Sequence, residues 1–108
     1  MIEKTYRLTQ TDGKIIEKVL LDENLHYLHM VLDAGNCLPV HDTNGNVYMT
    51  VVRGRLSIAL GTQEPHEYEA GTLLKIPGRI RMDARNAGES ALELIVVKTP
   101  APGSEIYK

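Results

Sequence analysis

Turn signals cut this chain into pieces too short for helices. Asp12-Gly13, Ala34-Gly35, Asn44-Gly45-Asn46, Gly54, Gly61, Gly71, Pro77-Gly78 and Asn86-Ala87-Gly88 follow one another along its length. Glycine supplies positive φ without steric cost, proline fixes φ and removes a donor, and asparagine tolerates the left-handed region, so each cluster marks a reversal. Between them lie short runs rich in Ile, Val and Leu. No window keeps a helical period with a cap at its start and a glycine at its end. The runs predict strands over residues 14–21, 25–33, 47–53, 56–60, 72–76, 80–84 and 91–98. Their spacing, roughly eight to twelve residues, is that of an all-β sandwich or barrel. Residues 1–8 read as a weak strand or an arm, and residues 100–108, with two prolines and a glycine, as a tail.

The chain of 108 residues and 12.0 kDa has room for one core. A domain this small has a large surface for its volume, and pairing with a second copy is a common way to bury more, so a homodimer is expected. The formal net charge of -2 argues against a nucleic-acid partner. Lys75, Arg79, Arg81 and Arg85 form the one basic cluster, read as the solvated face of a strand and turn. Five tyrosines are the only aromatics, which offers little to stack a base or sugar upon. The single cysteine, Cys37, allows no internal disulfide. No basic-then-apolar leader opens the chain and no apolar run is long enough to span a bilayer. A cytoplasmic protein without membrane partners is therefore expected.

The middle of the chain resembles the cupin family. The first cupin motif is Gly, five residues, His-x-His, three residues, Glu, six residues, Gly. Here Gly35 is followed by NCLPV and His41, and the closing glycine falls at Gly54. The second motif is Gly, five residues, Pro-x-Gly, two residues, His, three residues, Asn. Gly71, TLLKI, Pro77 and Asn86 keep that spacing. The resemblance implies one cupin-type double-stranded β-helix, a jelly-roll barrel, over residues 1–108: N-terminal strands or arm at 1–23, conserved barrel at 24–100, tail at 101–108.

The family's metal ligands are another matter. The two motif-one His, the Glu and the motif-two His would bind a divalent transition metal. Position by position, these are His41, Thr43, Val47 and Met82, and Arg79 replaces the glycine two after Pro77. One imidazole does not hold iron, manganese or zinc, which need three or four donors. No metal and no cofactor are expected.

Within such a barrel His41, Thr43, Val47, Met82, Met30, Cys37 and Met49 are the candidate ligand-pocket residues. His41 would orient a ligand or exchange a proton, with Thr43 as a second polar anchor. Cys37 shares the strand parity of His41 and could become a thiolate beside it. His26 and His29 lie three apart and face opposite sides. Register from Gly35 puts His26, Leu28, Met30 and Leu32 inside and leaves His29 outside or at an interface. A rebuilt metal site from His26, His41 and Cys37 matches no known spacing. His66 reads as a surface turn. Glu93 could pair with His41 if it faces in, although an exposed position is the plainer expectation.

Three functions compete. The first is a small-molecule-binding barrel without the family metal, a sensor or accessory protein. The second is a cupin enzyme of oxygenase or isomerase type, using a non-standard metal site or His41 acid/base chemistry; no catalytic residue is identified. The third is a structural or oligomerisation module, in which residues 1–8 would cross to a partner and the barrel would be plugged by its own side chains.

Overall fold

The computed structural model describes residues 1–102. Among them are nine strands and no helix: β1 (Ile15–Leu21), β2 (His26–Leu32), β3 (His41–Asp42), β4 (Asn46–Arg53), β5 (Arg55–Leu60), β6 (His66–Glu69), β7 (Leu73–Ile76), β8 (Arg81–Asn86) and β9 (Leu92–Thr99). The seven predicted runs each hold a strand. β3 and β6 escape sequence reading because one is two residues long and the other, HEYE, is polar. His66 therefore begins a strand rather than a turn, and its ring is exposed. Residues 1–14 form an arm without strand pairing. Of the predicted tail, residues 103–108 lie outside the described residues.

Two antiparallel sheets face each other. One runs β1-β2-β9-β4-β7 and the other β3-β8-β5-β6. Alternation along each strand builds the core between them. Leu28, Met30 and Leu32 of β2 point in, as do Val47, Met49 and Val51 of β4 and Leu92, Leu94 and Val96 of β9. Leu56, Ile58, Met82 and Ala84 answer from the second sheet. This settles the parity of β9, which its sequence leaves open: Leu92 and Leu94 are core, and Glu93 is on the outer face.

One irregularity changes what the outer face carries. Val51 pairs with Leu94 and Arg53 with Glu93, so Val52 is an extra residue in β4. By simple alternation Arg53 would follow Val51 into the core. The bulge turns it outward beside Glu93.

The motif residues that survive in the sequence hold the frame. Asn86 donates from Nδ2 to the carbonyls of Leu32, at 2.9 Å, and Ser90, at 2.8 Å, while its Oδ1 accepts the Gly88 N–H at 2.8 Å. It thus ties β8 to β2 and to the turn before β9. Gly54 sits between β4 and β5 with φ of 85°, in the left-handed region. A Cβ there would lie 2.4 Å from the Ala91 carbonyl oxygen, so the next hairpin leaves no room for a side chain. Conformation and space both demand glycine. Gly54→Ala should lower unfolding free energy by about 2 kcal/mol or more, read by urea denaturation, since it adds left-handed strain to a backbone clash. A loss below about 0.5 kcal/mol would mean that the Ala91 strand end yields freely.

Candidate functional site

A cavity of about 290 Å³ opens between the sheets. Met30, Val47, Met49 and Met82 line it, with Ile16, Leu28, Leu38 and Val96. Most of the wall is apolar. Polar groups come only from His41, Thr43 and Lys98, which are also lining residues.

Thr43 is not the free anchor its sequence position suggests. It is buried, and its hydroxyl donates to the Pro77 carbonyl at 2.8 Å while accepting the Ile80 N–H at 3.0 Å. Its main chain adds two more bonds, from its own N–H to the Ile80 carbonyl and from the Arg79 N–H to its carbonyl, at 2.9 and 2.7 Å. Thr43 clasps the β7–β8 turn, and its hydroxyl proton is committed to Pro77. Arg79, at the motif's glycine position, takes a positive φ of 62° within this clasp.

His41 lines the cavity from β3 but is exposed, so it stands at the mouth rather than deep inside. Its Nδ1 faces the Pro39 carbonyl at 2.8 Å and must donate to it. In the neutral ring that leaves the lone pair on Nε2, which has no protein partner among the described residues.

Cys37 does not share this site. The expected parity fails because residues 33–40 are not a continuous strand. Leu38 is drawn in by its N–H bond to the Ala84 carbonyl at 2.9 Å, and Cys37, one residue before, is exposed and bridges only to Arg85. A Cys37–His41 couple is thereby excluded. His26 has its inward parity, as the Cα partner of Lys98, but lies beyond the cavity lining.

Lys98 is the residue sequence reasoning missed. It closes the inward row Leu92, Leu94, Val96, Lys98 of β9, and the alternation in ALELIVVK would have exposed it once the parity was known. Burial lowers its pKa below the ordinary lysine range, and the charge of Lys18 lowers it further.

No protein-family model matches the chain. A protein of Methanocaldococcus jannaschii, itself uncharacterised, is 34% identical over 103 residues, which cover 94% of this chain and 89% of the relative. The crystal structure of that relative is described as an RmlC-like cupin with a double-stranded β-helix fold. It superposes with a TM-score of 0.91 over 94% of both chains.

The chain is an RmlC-like cupin.

More distant cupin-like structures share the fold alone. A double-stranded β-helix protein of Klebsiella pneumoniae has a TM-score of 0.76 at 18% identity, over 89% of this chain and 80% of its own. A putative mannose-6-phosphate isomerase of Ralstonia eutropha has 0.71 at 18% identity, over 82% and 86%.

The metal that the cupin resemblance implies does not fit the residues of this cupin. At the four ligand positions His41 offers one nitrogen. The Thr43 hydroxyl is spent on Pro77 and Ile80, Val47 has no donor atom, and the Met82 thioether is a soft ligand. Among the described residues no group of three His, Cys, Asp or Glu is placed to hold a metal ion. The rebuilt site from His26, His41 and Cys37 is not assembled.

The outer face of the same sheet carries a second polar construction. His29 is fully buried between two carboxylates: Nδ1 lies 2.6 Å from Glu17 and Nε2 2.6 Å from Glu93. With both carboxylates ionised, both ring nitrogens donate. Glu93 also accepts from Arg53 Nε at 2.9 Å, and Arg53 donates to Asp12 at 2.6 Å and to the Thr11 carbonyl. Thr9 completes the chain by donating to Glu17 through N–H, at 2.8 Å, and hydroxyl, at 2.7 Å. So His29 faces outward as expected, yet is sealed by its partners. Glu93 faces away from His41, which rules out that acid/base couple. The network fastens residues 9–12 of the arm to the barrel.

Burial pushes the Glu93 pKa up, but hydrogen bonds from His29 and Arg53 outweigh it and the net shift is downward. Glu17 is also held low, first by the Thr9 bonds and then by His29. Carboxylates lowered in the fold contribute stability above their unfolded pKa and lose it as pH falls through the folded value. Glu93→Gln should cost about 2 kcal/mol at neutral pH in urea denaturation, with the gap from wild type closing as pH drops below the usual carboxylate range. A gap that is the same at neutral and strongly acid pH would mean the network contributes no ionic stabilisation.

Proposed function

We propose that this cupin binds a small, largely apolar molecule inside the barrel without a metal, as a sensor or accessory protein would. The observation that carries this reading is the 290 Å³ apolar cavity found where the family's metal ligands would stand. Ligand sites are concave and mostly apolar, with a few polar groups to fix orientation. Here the methionines Met30, Met49 and Met82 give a wall that adapts to shape, and His41 at the mouth supplies a hydrogen-bonding nitrogen.

The open chamber weighs against a purely structural module, which would fill its barrel with its own side chains. The enzyme reading loses both partners suggested for His41, since Cys37 and Glu93 lie elsewhere. The fold itself does not choose among functions.

Octan-1-ol is a neutral probe of the chamber. Calorimetric titration should show saturable binding to the full chain, and the bound protein should melt higher than the free one. Val47→Phe, which fills the chamber at a stability cost of about 1–3 kcal/mol, should still fold and should abolish the heat of binding. Absence of saturable binding to wild type would contradict the proposal.

A further inference from the structure

Lys98 is the feature of the chamber that an apolar lining does not explain. Its side chain lines the cavity among Leu28, Val47 and Val96. Its Cα partners are His26 on one side and Val47 on the other, so no acidic residue faces it across either strand. The charge of Lys18, the Cα partner of the inward-facing Leu28, also acts on it. The carboxylates of Asp12, Glu17, Glu67, Asp83 and Glu93 are engaged in ion pairs elsewhere. Asp22, which feels His26, spends its carboxylate on the N–H groups of Asn24 and Leu25. Lys98 makes no ion pair among the described residues, and no carboxylate lines the cavity.

A half-buried cation in an apolar wall is unfavourable unless something pairs with it. Two mutually repelling positive groups, with no carboxylate on the lining, leave a deficit of negative charge at the chamber mouth. Burial, and after it the charge of Lys18, holds Lys98 below the usual lysine range. His41 stands on the same lining, with Nε2 unused by the protein.

Resting on the reading of the chamber as a ligand site, we infer that the ligand is an apolar molecule with one anionic head, of which a medium-chain monocarboxylate is the simplest form. The head pairs with Lys98, while Nε2 of His41, an acceptor in the neutral ring, gives the anion no hydrogen bond. The chain or ring lies against Leu28, Met30, Met49 and Val96. The anion completes the site electrostatically and the apolar body fills the space behind it.

The test compares two probes of one length, octanoate and octan-1-ol, by calorimetric titration of the full chain at neutral pH, where the carboxylate is ionised. Wild type should bind octanoate at least about tenfold more tightly than the alcohol, the worth of one charge-assisted hydrogen bond. Lys98→Met should erase that preference, while Lys98→Arg should keep most of it. The melting temperature of Lys98→Met should be no lower than that of wild type, because an unpaired charge has been removed. Equal affinity of wild type for the two probes overturns the anionic head and leaves the chamber reading standing. A preference that survives in Lys98→Met overturns the assignment to Lys98. Failure of wild type to bind either probe overturns the chamber reading itself, and this inference with it.

Discussion

The hydroxyl of Thr43 joins the two halves of the site. Through it the turn after β7 is held against the end of β3, with Pro77 accepting at 2.8 Å and Ile80 donating at 3.0 Å. In a metal-bearing cupin the ligands of the two motifs would meet at an ion. Here they meet at a hydrogen-bonded clasp, reinforced by main-chain bonds to Arg79 and Ile80. Each such bond is worth about 1 kcal/mol net, far less than a tightly held ion, but it needs no ion to be present. The consequence reaches the whole chamber. With Thr43 satisfied by backbone, and with Val47 and Met82 at the other ligand positions, His41 and Lys98 are the remaining polar side chains on the lining. The space between the sheets becomes an apolar room with its charges at the door.

Much of the fold was legible in the sequence because strand alternation and turn chemistry are local. Gly54 shows this best: a left-handed turn pressed against the Ala91 carbonyl tolerates only glycine, and the motif spacing places one there. Asn86 is legible for the same reason, since its amide and carbonyl must satisfy main-chain groups of Leu32, Gly88 and Ser90. β6 was not legible, because HEYE carries no apolar pattern and is a strand only through its pairing with β5. Cys37 was misplaced by applying strict alternation to a segment that is not a strand.

The site was legible in its lining and not in its charges. Met30, Val47, Met49 and Met82 line the cavity, as parity from the motif glycines requires. Lys98 was hidden because both faces of β9 carry apolar residues, and only the partner strands decide which is inside. The outer network was hidden more deeply. Glu17, His29, Arg53 and Glu93 come from four separate strands, and Arg53 reaches the group only through the bulge at Val52. Neither register nor bulge is written in any one stretch of the chain. The result is a sheet polar and ionic on one side and apolar on the other, with the arm fastened to the first and the chamber built on the second.

In this barrel the residues at the cupin ligand positions line a mostly apolar chamber and do not assemble a metal site. Equilibrium dialysis of untagged protein against Mn²⁺, Fe²⁺, Zn²⁺ and Ni²⁺ in turn, with bound metal read by elemental mass spectrometry, tests this most directly. The donor set at His41, Thr43, Val47 and Met82 predicts well below one ion per chain for every metal, and no change in His41→Ala. Near-stoichiometric retention of any of them, lost in His41→Ala, would contradict the account and return His41 to a coordination role.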